Sequence, residues 1–236
     1  MKSFFLRYND INLDYIYTDK HMHTNWTDGK DSVMQVINRA YAVGLKEIAI
    51  TEHCRRSSTY YPEFYIEADN YRKKKTNLNV LIGYEAKIYN FNGQIDVSDS
   101  INKRSEISIA SVHSFPIGGK FYNPKFFEKK LCQEIELRLS LAGIENSNFD
   151  ILGHPGAQSL KYYGDFPVDY FEEIIKCCNS NDVAFDFNYQ YHNRYFDVIE
   201  PLLIKHNPYV SLGSDAHKLS NIGIWTKVKK LRSKFD

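Results

Sequence analysis

Short apolar runs alternate with segments of helical period along most of the chain. The runs are LDYIYT near Leu13–Thr18, EIAIT at Glu47–Thr51, NVLIGYEAKI at Asn79–Ile88, ISIASV at Ile107–Val112, FDILG at Phe149–Gly153, VAFDFN at Val183–Asn188 and YVSLGS at Tyr209–Ser214. Each is β-branched or apolar on both faces, the pattern of parallel strands covered on both sides. Between them, residues 31–43 put Val33, Val36, Ile37 and Ala40 on one stripe and stop at Gly44, a residue suited to the position after a helix. Residues 124–142 open on Pro124 and carry Phe127, Leu131, Ile135 and Leu139 at fourfold spacing. Residues 168–178 carry Phe171, Ile174, Ile175 and Cys178. Residues 194–206 carry Tyr195, Val198, Ile199, Leu202 and Leu203, with Pro201 expected to kink or divide the segment. This alternation predicts one α/β domain over residues 1–236, either a parallel barrel or a doubly wound sheet.

Composition narrows the function classes. With 43% hydrophobic residues in 236, the chain can bury a sizeable core. A net charge of +1 argues against bulk attraction to a polyanion, which disfavours nucleic acid as a partner. The runs RKKKTN at 72–77 and KVKKLRSK at 227–234 read as solvated faces or tails. The four cysteines form no C-x-x-C pair, and Cys177-Cys178 is a poor disulfide framework. No apolar stretch approaches signal-peptide or membrane-span length, and Arg7, Asn9 and Asp10 interrupt the N-terminal one. The expectation is a cytoplasmic protein without membrane contact. Nothing in the pattern specifies an oligomeric state.

The chemistry lies where the apolar runs end. His21 and His23 follow the first run, flanked by Asp19 and Asp28. Residues i and i+2 of an extended segment share a face, so the two imidazoles stand side by side, as a metal ion requires. His53 follows EIAIT, Glu85 follows LIGY, His113 follows ISIASV, His154 follows DILG, and Asp215 and His217 follow VSLGS. Six of the eight histidines thus track strand ends, leaving His192 and His206. In a parallel barrel all these ends share one rim, the face on which barrel active sites are built. A donor set of histidine and carboxylate without cysteine favours Zn, Mn or Fe. Cys54 alternates to the opposite face from His53 and reads as packing.

In order along the chain, H-x-H-T at 21–24, T-E-H at 51–53, G-Y-E at 83–85, S-V-H at 111–113, G-H-P at 153–155 and G-S-D-A-H at 213–217 resemble the motifs of the polymerase and histidinol phosphatase (PHP) superfamily. The resemblance implies a distorted (β/α)7 barrel holding two to three divalent ions (Zn, Mn or Fe) and hydrolysing phosphate esters. It implies that His21, His23 and Asp215 bind one ion, and that Glu85 bridges it to a second on His113 and His154. A third would lie between His53, His217 and Asp28. Glu85, Asp215 and His217 are then the candidate catalytic residues, and a metal-activated hydroxide the expected nucleophile. The implied substrate is a small phosphorylated metabolite, with histidinol phosphate suggested by the family. Phosphodiester or exonuclease activity, or a non-catalytic metal-binding role, are the alternatives within it. Two departures concern neighbouring residues and no ligand: T-E-H stands where T-D-H is common, and D-F-N at 186–188 where E-x-N is frequent.

For substrate binding the candidates are Arg55 and Arg56, which follow His53, and Arg194, since an arginine can clamp phosphate through two parallel hydrogen bonds. Lys120 and His192 occupy comparable loops, and Tyr60, Tyr61, Tyr189 and Tyr191 could wall a pocket. SFPIGGK at 114–120 lacks a P-loop pattern, so no nucleotide site is read there.

Overall fold

A computed structural model describes residues 4–74, 77–227 and Leu231. In chain order the elements are β1 (Leu6–Arg7), α1 (Leu13–Ile16), β2 (Thr18–Asp19), α2 (Val33–Ala42), β3 (Glu47–Cys54), α3 (Tyr61–Arg72), β4 (Asn79–Lys87), α4 (Asp99–Arg104) and β5 (Ile107–Ser111). There follow β6 (Phe115–Ile117), β7 (Lys120–Tyr122), α5 (Lys129–Asn146), β8 (Ile151–Gly153), α6 (Ala157–Tyr163), α7 (Val168–Ser180), β9 (Ala184–Asn188), α8 (Tyr189–His192), α9 (Phe196–His206) and β10 (Tyr209–Gly213).

The main sheet runs β1-β10-β9-β8-β5-β4-β3-β2. All its pairings are parallel except that of β1 with β10. The outer edge of β10 is shared. Its first residues pair with β1, while further along Lys20 N–H donates to Leu212 O, Asp215 N–H to His21 O and His23 N–H to Ala216 O, each at 2.9 Å. Those bonds bring the segment after β2 back onto β10 and close the parallel strands into a distorted barrel of seven β/α units, a single domain.

The barrel interior grades from apolar to polar. A small inner cluster of Phe5, Ala49, Ile107, Ile109, Ile151 and Ala184 fills its N-terminal end. Two residues further along the same strands the inward positions are Thr51, Ser111, Gly153 and Asp186, and beyond them lie His53, His113 and Asn188. The larger core sits outside the sheet, where the buried faces of α2, α3, α5, α7 and α9 meet the strands' other face.

The helical stripe at 31–43 forms α2, started by a capping box between Ser32 and Gln35 and stopped before Gly44 at φ +80°. The 168–178 stripe forms α7, with all four of its apolar residues buried. Three expectations are corrected. Leu13–Thr18 is not one strand. Asn12 caps a short helix by accepting from Tyr15 N–H at 3.0 Å, and only Thr18–Asp19 is extended. The 124–142 helix starts later, at Lys129: Asn123 caps a separate 3-10 turn at Pro124–Phe126, and Leu131 is exposed rather than on the buried stripe. The 194–206 segment is a 3-10 turn at Asn193–Tyr195 followed by α9, which accommodates Pro201 without dividing. Residues 75–76 of the first charge run, and 228–230 and 232–234 of the second, lie outside the described residues. The four cysteines are free. Among the described residues no helix is long and apolar enough to cross a membrane.

Candidate metal centre

Every predicted metal ligand arrives at one end of the barrel. His53 is the last inward residue on β3 and Glu85 the last but one on β4, and the two are directly paired across the strands. His113 and His154 follow β5 and β8, His21 and His23 follow β2, and Asp215 and His217 follow β10. Asp28 reaches in from the loop after His23. His154 (φ +32°) and Asp215 (φ +52°) adopt left-handed backbone, a conformation costing on the order of 1 kcal/mol or more for such residues. The surrounding hydrogen bonds hold it, and it turns both side chains back over the barrel mouth.

Glu85 is the hub, buried at the centre. Its Oε1 accepts from Ser111 Oγ at 2.5 Å and lies 2.9 Å from His154 Nε2 and 3.1 Å from His113 Nε2. Its Oε2 lies 2.9 Å from His53 Nδ1, 3.4 Å from His21 Nε2 and 3.5 Å from His23 Nε2. Asp215 Oδ1 is 3.3 Å from His23 Nε2 and 3.7 Å from His21 Nε2. Asp28 spans His217 Nε2 (3.2 Å) and His53 Nε2 (3.3 Å). Donor atoms converge in four overlapping groups: His21–His23–Asp215, His21–Glu85–His154, His53–Glu85–His113 and His23–Asp28–His53–His217. The sharing differs in detail from the expected sets, since His53 stands with both Asp28 and Glu85, and His154 with His21.

The cluster fits divalent ions for a reason internal to it. His21 Nε2, both ring nitrogens of His23 and Glu85 Oε2 are buried with no hydrogen bond of proper geometry. Leaving such groups unsatisfied costs about 1–3 kcal/mol each. Cations coordinated by these lone pairs would remove that cost. Protonation records the same strain. Burial opposes imidazolium at His21, yet the Glu85 and Asp215 carboxylates raise its pKa well above the usual value. Burial likewise opposes it at His53, which the Glu85 charge and its close contacts with Asp28 and Glu85 lift to about 10. His23, buried and facing a charged His53, drops to about 4. Burial alone would raise the Glu85 carboxyl, but the surrounding imidazoles hold it well below the carboxylate range.

An outer layer aims these donors. Asp186 Oδ2 accepts from His21 Nδ1–H at 3.0 Å, from His154 N–H at 3.2 Å and from Asn188 Nδ2–H at 3.0 Å. A carboxylate only accepts, so His21 keeps a proton on Nδ1, and Nε2 is the nitrogen that gives up its proton to face the cluster with a lone pair. His217 Nδ1–H donates to Asp215 O at 2.9 Å with the same effect. Gly153 and Gly213 leave the room required: a Cβ would come within 2.1 Å of Ser111 Oγ at the first, and within 2.4 Å of Asp186 Oδ1 at the second. Glu136, buried on α5, accepts from Gln158 N–H, Ser159 N–H and Ser159 Oγ, fixing the start of α6 beside His154.

A cavity of about 1020 Å³ opens above the cluster. Asp28, His53, Glu85, His113, His154, Asp215 and His217 form its floor, with His21 and His23 buried beneath. Of the predicted substrate-binding residues only Arg55 lines it. Arg56 stacks on Tyr89 at 4.7 Å, while Arg194 and Lys120 lie outside the lining. His192 is structural, buried between Asn188 N–H, which donates to its Nδ1 at 3.1 Å, and Pro155 O, 2.8 Å from its Nε2. Tyr191 lines the cavity. Tyr61 is buried against Ser105, Tyr60 donates to His53 O at 2.6 Å, and Tyr189 packs on Trp225. Cys54 packs in the outer core. Sequence reasoning missed Lys30, Lys87, Lys161 and Lys218, which also line the cavity. Lys87 was signalled by its position two residues beyond Glu85 on the same strand face; Lys30 and Lys161 carried no comparable signal.

Fold and site together define a class: a seven-unit parallel barrel carrying a histidine–carboxylate cluster at the strand C-terminal ends. A family profile described as PHP domain matches residues 19–190, and the chain belongs to that family. It is 24% identical over 228 residues to a Caldicellulosiruptor bescii protein named "Probable phosphatase", covering 94% of this chain and 88% of that protein. It is 25% identical over 185 residues to the DNA polymerase/3'-5' exonuclease PolX of Bacillus subtilis. That match covers 75% of this chain and 30% of the polymerase, so the chain spans under a third of that relative's length. Among solved structures, histidinol phosphate phosphatase from Lactococcus lactis, complexed with zinc, L-histidinol and phosphate, superposes with a TM-score of 0.71 at 21% identity. The superposition covers 93% of this chain and 94% of that one, and it establishes likeness of fold.

Proposed function

We propose that the protein hydrolyses a phosphate monoester of a small metabolite, using two to three divalent ions (Zn, Mn or Fe) held by the nine clustered residues. The observation that carries this reading is the convergence of six imidazoles and three carboxylates at and just beneath one cavity floor, with buried ring nitrogens and a carboxylate oxygen that have no hydrogen-bond partner and that cations would satisfy. The relatives named as phosphatases support it.

His21, His23 and Asp215 would hold one ion, Glu85, His113 and His154 another, and His53, His217 and Asp28 a third. When bound, such ions supply Lewis acidity toward phosphoryl oxygens and make water a stronger acid. The chain's own part is placement. Asp186 and the Asp215 carbonyl fix the tautomers of His21 and His217, so that each presents a lone pair. Ser111 holds Glu85 at the centre. His53 and His217, with Asp28 between them on the cavity floor, would complete the donor set.

Phosphate release tests this with manganese- or zinc-loaded protein on an aryl phosphate, an aryl phosphodiester and L-histidinol phosphate. Monoester turnover should vanish on chelation, return with metal, and fall at least 100-fold in Glu85→Gln. No release from any monoester by metal-loaded protein, or near-wild-type turnover by Glu85→Gln at full metal content, would overturn the proposal. Faster diester than monoester cleavage would move it to the phosphodiesterase alternative.

A further inference from the structure

Directly above the metal cluster lies a second chemical layer. His53 and Glu85 are paired across β3 and β4, and the next pair up is Cys54 with Ala86. Arg55, the first residue after β3, and Lys87, the last of β4, each follow that pair by one residue, so the strand period carries them about 7 Å beyond His53 and Glu85. Both line the cavity, and they are close enough for their charges to repel. Lys87 is only 18% exposed, its Nζ lies 3.4 Å from the Phe121 ring centroid, and its nearest carboxylate, Asp96, is 3.8 Å away. The Arg55 guanidinium has no carboxylate partner among the described residues.

The remaining rim has the same sign. Lys30, Lys161 and Lys218 line the cavity without a carboxylate partner among the described residues. Apart from Asp28, Glu85 and Asp215 in the cluster, no acidic residue lines it. A phosphoryl group would already be received by the ions on the floor. Two adjacent cations one pleat higher are left facing the part of the substrate that departs.

We propose that Arg55 and Lys87 form a subsite for a second oxyanion on the leaving group, so that the preferred substrate is a phosphate monoester carrying another phosphate or a carboxylate. This rests on the phosphatase reading and narrows it. Position supports it, since a shift of about 7 Å along the strands sets the pair beyond the donors on the cavity floor. Charge also disfavours a cationic leaving group: an ammonium would meet Arg55 and Lys87 and find no carboxylate beyond the metal-binding ones.

The test compares kcat/KM of metal-loaded protein on matched esters: fructose 1,6-bisphosphate against fructose 6-phosphate, and 3-phosphoglycerate against glycerol 3-phosphate. L-histidinol phosphate serves as the cationic case and an aryl phosphate as the generic one. At least a tenfold preference for the doubly anionic member of one pair is expected, and which pair shows it separates phosphate from carboxylate. Arg55→Gln and Lys87→Met should each reduce that ratio at least fivefold, chiefly through KM. Lys103→Ala, which removes an exposed charge outside the cavity, should leave the ratio unchanged. Turnover of the aryl phosphate without preference in either pair would overturn the subsite and leave the phosphatase reading standing. A preference that survives in both variants would overturn the assignment to this pair. Absence of turnover on every ester would instead remove the phosphatase reading and the subsite with it.

Discussion

Asp186 is buried on β9, does not line the cavity above the cluster, and controls how two histidines of the cluster are held. Its Oδ2 receives three hydrogen bonds, from His21 Nδ1, His154 N and Asn188 Nδ2, while Oδ1 has no partner and lies against Gly213. Asp186→Asn can keep all three by placing its amide oxygen where Oδ2 stands. What it removes is the charge. A hydrogen bond to a charged group contributes about 1.5–3 kcal/mol against about 0.5–1.5 for a neutral one, so His21 loses roughly 1–2 kcal/mol of support as a donor. At 1.4 kcal/mol per decade this weakens metal binding on the order of 5- to 30-fold, overlapping the lower part of the roughly 10- to 100-fold range for removal of a histidine's carboxylate partner. Zinc titration of metal-free protein against a chromophoric chelator would measure it.

Asp186→Ala provides the contrast. It strands three buried donors and should lower the melting temperature of the metal-free protein, whereas Asp186→Asn should hold that temperature within a few degrees. Zinc affinity of Asp186→Asn within twofold of wild type would refute the reasoning, because the carboxylate charge would then have no effect on His21.

Three other outcomes follow from the geometry. Gly213→Ala drives a methyl into Asp186 Oδ1 and His21 Cβ, so zinc affinity and phosphatase turnover should fall at least tenfold together; unchanged affinity by the same titration would contradict the close approach. Metal affinity should rise with pH on the order of tenfold per unit for each proton displaced, since carboxylates hold His53 protonated up to about 10 and raise His21 in the metal-free protein; equal affinity at pH 6, 7 and 8 would contradict this. Burial depresses the His192 pKa from 6.5 to about 4, so the folded state binds fewer protons there than the unfolded state between those values. Its contribution is present above pH 6.5 and lost as pH falls toward 4, by about 3 kcal/mol. Denaturant unfolding of wild type and His192→Gln should show their stability difference shrinking by that amount over this window, and a constant difference would count against a neutral buried His192.

The ring of donors was legible because two simple rules coincide. All the donors but Asp28 follow apolar runs, and most are inward by the period of two, so position along the chain translated into position on the rim; His154 falls out of that period and is turned in by its left-handed backbone. What stayed hidden depended on contacts no local pattern encodes. Arg56 follows Arg55 immediately, but the turn after β3 sends it to the Tyr89 ring and leaves Arg55 in the cavity. Leu13–Ile16 is as apolar as a strand, and its helix follows from the cap at Asn12. Glu136 reads as a polar residue on the buried stripe of α5, and only the packed structure shows it holding the α6 amides beside His154. The antiparallel β1, which shares the edge of β10, and the β6–β7 hairpin were too short to register.

The two departures from the common family motifs act in opposite directions from the barrel wall. Asp186 points inward and reaches His21 and His154. Glu52 precedes His53 and so points outward, where it accepts from Thr24 N–H at 2.7 Å and Thr24 Oγ1 at 2.6 Å and also bonds Thr27 Oγ1. Burial pushes its carboxyl up to about 7, against those threonine hydrogen bonds, which lower it. Thr24 and Thr27 bracket the turn that delivers Asp28 to His53 and His217. An aspartate at position 52 would be one methylene shorter and could not span both threonines without drawing the turn toward β3. The longer side chain therefore leaves the donor set intact and fixes the distance at which the Asp28 loop stands from the metal cluster, on the side of the cavity where Lys30 enters the rim.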